Sequence, residues 1–173
     1  ASVTLDPDTA HPELELSQDG KRVWRGAGHR PPPPRPERFD HWPFVLGHQR
    51  FVSGRHCWAV DVGDGGDWAV GVARDSVRRK GRLSLGPPGG IWGLEKWGGQ
   101  LRALTARKRI PLFPARAPSR VRVALDYDRG QVAFFDADKR SLIFAFPAAS
   151  FEGRRVHPWF LVWGEGARIA LCP

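Results

Sequence analysis

Apolar residues recur at every second position in several short stretches of the chain. Trp58, Val60 and Val62 fall on one side of His56–Val62, and Trp68, Val70 and Val72 alternate with Ala69, Gly71 and Ala73. A period of two is the signature of an extended chain with one face toward a core, so each stretch predicts a half-buried strand. Val121, Val123 and Leu125 alternate with Arg120 and Arg122 in the same way, while Gln131–Phe135, Leu142–Phe146 and Arg168–Cys172 also have strand character. Asp126–Gly130 predicts the hairpin turn between two of them. No segment sustains a 3.6-residue period, and 20 Gly with 16 Pro interrupt the chain too often for ordinary helices. The expected fold is therefore all-β, two antiparallel sheets packed face to face, with function carried by the loops at the ends.

Length and composition fit that architecture. A chain of 173 residues, 41% of them hydrophobic, closes a substantial core as one unit over 1–173. Two connections are long, 25–43 with the Pro31–Pro34 run and 75–90 with Arg78–Arg82, and neither reads as a boundary because strands resume on both sides. The sequence starts without methionine or an apolar leader and has no run of about 20 apolar residues, which suggests an excised domain that does not insert into a membrane. Cys57 and Cys172 lie in alternating segments, where a small buried thiol is expected rather than a disulfide; this favours a reducing, cytoplasmic setting.

Charge adds a second pattern. The net charge is +9, yet residues 74–122 carry 13 Lys and Arg against Asp75 and Glu95, a local +11. Such a segment can steer acidic protein, RNA or an anionic surface toward the domain, or be solvated loop charge. Trp92, Trp97 and Arg102 would supply stacking beside phosphate contacts, without an accompanying nucleic-acid motif.

The chemistry of an enzyme finds no support. Histidines stand apart at 11, 29, 41, 48, 56 and 157, with no His-x-x-x-His or Cys-x-x-Cys pair, and Ser53 is not in a nucleophile elbow. Asp61, Asp64 and Asp67 are spaced by three, not by the two of a calcium loop, and Gly63–Gly66 lacks the Lys-Ser/Thr of a phosphate loop. Neither a metal nor another cofactor is expected. Arg30-Pro-Pro-Pro33-Pro-Arg-Pro36 fits a polyproline ligand pattern, but a stiff surface loop explains it as well. Among the eight tryptophans, Trp58, Trp68 and Trp92 are expected in the core, whereas Trp97, beside Gly98 and Gly99, is expected at a turn; Trp42, Trp159 and Trp163 are open between core and site.

Several strings are specific. Val3-Thr-Leu-Asp-Pro-Asp-Thr-Ala-His-Pro12, Glu37-Arg-Phe-Asp40, Val45-Leu-Gly47, Ser53-Gly-Arg-His-Cys-Trp-Ala-Val-Asp-Val62, Trp68–Ala73, Asp75–Gly81, Leu125-Asp-Tyr-Asp128 and Leu171-Cys-Pro173 together resemble the PRY-SPRY domains of tripartite-motif ubiquitin ligases and butyrophilins. Ala59 and Asp128 stand where that family usually has glutamate. The resemblance implies a bent, concanavalin-like sandwich, with a PRY part over about 1–50 and a SPRY part over about 51–173, whose variable loops bind a protein or peptide. Any ligase chemistry would then lie in a RING outside the chain. It also implies contact positions at Ala69, Trp97, Arg102 and the Trp159-Phe160 pair.

His41, Trp42, Arg82 and Trp163 complete the expected ligand-binding set. An apolar or aromatic anchor against Trp97 and Phe160, with acidic groups meeting Arg82 and Arg102, is the expected mode, over a shallow apolar floor at Ala69. A butyrophilin-type basic pocket for a small anionic ligand, matched only at Arg102 and Lys108, is the alternative. In isolation the domain is expected to be a monomer.

Overall fold

The structure, a computed structural model, describes residues 2–26, 28 and 30–173; Ala27 of the first long connection and His29 lie outside them. Among the described residues are thirteen strands: β1 (Leu14–Leu16), β2 (Arg22–Arg25), β3 (Phe44–Leu46), β4 (Arg55–Asp61), β5 (Asp67–Arg74), β6 (Ile91–Trp97), β7 (Gln100–Leu104), β8 (Arg109–Leu112), β9 (Arg120–Asp126), β10 (Gln131–Asp136), β11 (Ser141–Phe146), β12 (Val156–Trp163) and β13 (Arg168–Leu171). One turn of 3-10 helix spans Pro87–Gly89. No helix is long and apolar enough to cross a membrane among these residues. A seven-stranded sheet in the order β1-β2-β13-β4-β9-β10-β11 packs on a six-stranded one in the order β3-β12-β5-β6-β7-β8, and every strand pairing within each sheet is antiparallel. The expected antiparallel sandwich is therefore present.

The predicted alternations place side chains as expected in the seven-stranded sheet. Trp58, Val60, Val121, Val123 and Leu125 point into the space between the sheets and are buried. The turn at Asp126–Gly130 joins β9 to β10, with the Asp126 carboxylate accepting the Arg129 amide at 3.1 Å. Asp61 and Asp67 likewise serve turns, accepting the amides of Gly63 and Gly98 at 2.9 and 3.0 Å. The same parity turns Cys57 outward, so its thiol is exposed rather than buried, and the two cysteines form no disulfide.

The six-stranded sheet departs from the half-buried expectation. Trp68, Val70 and Val72 face the inter-sheet core, but Ala69 and Ala73 on the other side of β5 are also below 2% exposed. They lie beneath a second core, with Phe39, Phe44, Leu46, Ile91, Leu104, Trp159 and Leu161. Small residues make room for it. Trp159 pairs with Gly71, which pairs with Gly93, so three neighbouring strands bring the indole over two glycines. A Cβ at Gly93 would stand 2.8 Å from Trp159 Cζ3, and one at Gly71 would stand 2.0 Å from the Trp92 carbonyl.

The two long connections close this second core. Lys80 Nζ donates to the carbonyls of Arg35 and Arg38 at 2.7 Å each, and Arg79 donates to the Glu37 carbonyl at 2.7 Å. The Gly81 amide meets the Asp40 carboxylate at 2.7 Å, and the Arg79 guanidinium lies 5.1 Å above the Phe39 ring. Buried Arg38 holds the lid down, donating to the carbonyls of Pro7, Ala10 and Pro33. Part of the basic run is thus spent on backbone oxygens, and the proline stretch is a tethered loop.

Candidate functional site: an aromatic patch at one end of the six-stranded sheet

Three tryptophans from distant parts of the chain meet where β5 begins and β6 and β12 end. Trp97 is the last residue of β6, followed by a two-residue turn in which Gly98 and Gly99 have φ of 58° and 80°. That turn suits the twist of a tight hairpin and is open to glycine at no steric cost. Trp163 is the last residue of β12, and its ring lies 5.8 Å from Trp97 and 6.4 Å from Trp42. Trp42 stacks on buried Phe44 at 6.4 Å, and its indole N–H reaches the Leu83 carbonyl at 3.4 Å. His41 packs edge-on against Trp42 at 5.2 Å and is exposed.

Arg25, at the end of β2, sits 5.8 Å over the Trp163 ring and makes an exposed 3.2 Å ion pair with Glu13. A cation over an aromatic face contributes on the order of 0.5–1 kcal/mol at an exposed site. Trp163 nevertheless remains 38% exposed, an unusual state for so large a ring. Beyond Arg25 a groove of about 960 Å³ continues between β2 and the β12–β13 turn, lined by Trp24, Ala170, Arg168 and Gly164–Gly166.

Polar chemistry beneath the patch centres on Glu95. Register places Glu95 between Ala69 and Arg102, and its carboxylate is 2.6 Å from Arg102 Nη2 and 2.9 Å from Arg109 Nε. Burial lifts this carboxyl above the usual range, against the pull of Arg109 and Arg102. Both guanidinium groups are therefore committed to an internal carboxylate.

The predicted set divides accordingly. His41, Trp42, Trp97 and Trp163 come together, and exposed Arg82 adjoins them through its neighbour Leu83. Ala69, Trp159 and Phe160 do not join the surface: each is at most 1% exposed. Trp159 faces the second core and Phe160 the inter-sheet core, because successive residues of a strand point to opposite faces. Phe160 thus offers no ring to a partner, and the anchor position passes to Trp163. The apolar floor expected at Ala69 is corrected as well, since Glu95 and its two arginines lie alongside. Arg25, Trp24 and Glu95 were missed. Glu95 had a signal, as the only carboxylate between Asp75 and Asp126 and on the same strand parity as Trp97; Arg25 and Trp24 depend on how β2 docks.

Known proteins frame this geometry. Residues 3–51 match PRY, the SPRY-associated domain, and residues 55–173 match the SPRY domain. Mouse butyrophilin subfamily 1 member A1 is 47% identical over 98% of this chain and 32% of its own length, and the human protein of that name is 44% identical over 99% and 32%. Human RING finger protein 39 is 40% identical, covering 100% of this chain and 45% of its own. The chain thus spans about a third of the butyrophilins and under half of the RING protein. Among solved structures, the TRIM65 PSpry domain superposes with a TM-score of 0.84 at 24% identity over 100% of this chain and 91% of that one, and a stonustoxin structure with 0.84 at 26% over 99% and 27%. Sequence and fold agree: the chain belongs to the PRY-SPRY family, whose domains are protein-interaction modules.

Proposed function

We propose that this domain recognises a protein or peptide through the Trp42–Trp97–Trp163 patch, selecting the target of a longer protein that carries it. The observation behind this is the convergence of three indoles, partly solvent-accessible, at the ends of β6 and β12. Tryptophan is enriched at binding hot spots because a large ring buries much apolar area with little rotamer entropy to lose. A partner supplies an apolar or aromatic residue to Trp97 and Trp163, while His41, Arg25 and Arg82 form a polar rim. Ligase chemistry, if the longer protein has it, resides in a RING outside this chain, and the domain works in the cytosol, on a soluble protein or on the cytosolic side of a membrane protein.

Sensing a small anionic ligand has less support, because Arg102, a key cation for that pocket, already neutralises Glu95. RNA binding has less support as well, because the cation seated over Trp163, Arg25, already pairs with Glu13 and no nucleic-acid motif accompanies the tryptophans.

The test is calorimetric titration of a captured or selected partner onto wild type, Trp97→Ala and Trp163→Ala. Each variant is expected to weaken binding by about 2 kcal/mol with unfolding nearly unchanged. Wild-type affinity in both variants would remove the patch from consideration.

A further inference from the structure

The aromatic patch leaves much of the basic segment unexplained, and three of its cations, Arg107, Lys108 and Arg116, flank the sheet edge at β8, two strands from Trp97. β8 closes the six-stranded sheet and β11 closes the seven-stranded one, and a groove of about 440 Å³ lies where these two edges meet. Its wall carries the two most exposed large hydrophobic residues of the described chain, Phe113 at 82% and Leu142 at 59%. Clustering sets these residues apart from scattered surface apolar groups, which are normal.

The charges around this apolar row are predominantly positive; the exposed carboxylate beside Lys139, Asp138, accepts the Ser119 hydroxyl at 3.4 Å. Arg107 and Lys108 precede β8, Arg116 follows it, and Lys139 lines the groove from the β10–β11 turn. None of the four is in an ion pair among the described residues. The one carboxylate in the groove, Asp136, is buried and already accepts the amides of Asp138 and Lys139 at 3.0 and 3.1 Å. Cations that lack partners therefore bracket an apolar centre.

From this arrangement we infer that the β8–β11 flank is a second protein-binding surface, taking a short acidic segment that seats an apolar side chain between Phe113 and Leu142. A second copy of the chain is a poor occupant, because its net charge of +9 would bring like charges together. Concavity between two sheet edges suits an inserted side chain better than a flat lipid surface. A single exposed aromatic does not provide the run of stacking platforms that single-stranded RNA uses. Strand addition is also disfavoured: Pro111 lacks an amide donor in β8, and the register shift at Phe134/Phe135 interrupts the β10–β11 ladder.

The experiment is to pan a random phage-displayed library of about twelve-residue peptides on the whole chain at physiological salt, then titrate the enriched peptides onto variants. Enriched peptides are expected to flank an apolar residue with Asp or Glu. At least one group of them should bind Phe113→Ser and Arg116→Glu about tenfold more weakly, bind Trp97→Ala normally, and show the same loss in Leu142→Ser. Thermal unfolding of Phe113→Ser should match wild type, as the ring is almost wholly exposed. The inference is overturned if no acidic peptide is enriched, if every enriched peptide ignores Phe113→Ser and Leu142→Ser, or if a uridine oligonucleotide or phosphatidylserine vesicles compete for these residues more tightly than any peptide. Because Trp97→Ala reports on the other patch, either site can fail without the other.

Discussion

The outward faces of the two sheets start from the same alternating pattern and end in opposite states. On the seven-stranded sheet, Arg22, Arg122 and Cys57 face outward from β2, β9 and β4 and are exposed. On the six-stranded sheet, the equivalent row of Ala69, Gly71, Ala73 and Gly93 is buried under Trp159, Leu161 and a lid of two loops. Side-chain size separates them. Small residues on the central strands leave a trough, and a trough that wide must be filled or it loses dispersion contacts on one side. Filling it with indole and phenyl rings creates a second core, and only the rings at its margin, Trp42, Trp97 and Trp163, remain to meet a partner. The binding patch is thus the uncovered rim of a covered face.

The largest test of this contrast replaces one residue on each face. Trp159→Ala should cost about 4 kcal/mol, since it removes a fully buried indole over two glycines that cannot collapse into the space. Arg122→Ala, on the bare face, should stay within about 0.5 kcal/mol of wild type. Urea unfolding of the two variants measures both, and comparable losses would show that the second core is not a core.

A lid that is held by polar contacts should be separable from the sheet it covers. Arg38 is buried and donates to three carbonyls from two segments, so Arg38→Ala leaves acceptors without their donor and should cost about 2 kcal/mol. Hydrogen exchange distinguishes the two levels of structure. Amides of the 37–43 and 75–90 segments should lose protection in this variant while those of β4 and β9 keep theirs; uniform loss would mean that lid and sandwich unfold as one.

Much of this was legible in the sequence, and the misses have physical causes. Strand parity gave the inward rows of β4 and β9, and the same parity, applied strictly, already turns Cys57 away from Trp58. Treating Trp159-Phe160 as one surface pair broke that rule, since neighbours in a strand cannot share a face. The Glu95–Arg102 pair was also within reach: a two-residue turn at Gly98-Gly99 opposes Trp97 to Gln100, and counting back along both strands opposes Glu95 to Arg102. The burial of Ala69 was not within reach. It depends on one loop some thirty residues upstream and another about ten to fifteen residues downstream folding over the sheet together, an event that no periodicity records.

The smallest effect reports on the lid side through pH. His157, on the covered face of β12, donates from Nδ1 to the Gly47 carbonyl at 3.0 Å, and His11 accepts the Glu13 amide at Nδ1 at 3.0 Å. Burial holds both imidazoles below the usual value of about 6.5, and for His157 the nearby Arg79 and Arg50 also oppose a further positive charge, more than Asp75 offsets. As pH falls through about 6.5, the unfolded chain takes up protons that the folded chain refuses, so stability declines. Above that value the term is constant and fully favourable. The urea midpoint should therefore fall between about pH 7.5 and pH 5.5, and the fall should shrink in a His11→Gln, His157→Gln double variant. An equal fall in the double variant would assign the pH sensitivity elsewhere and make the covered face no more sensitive to acid than the bare one.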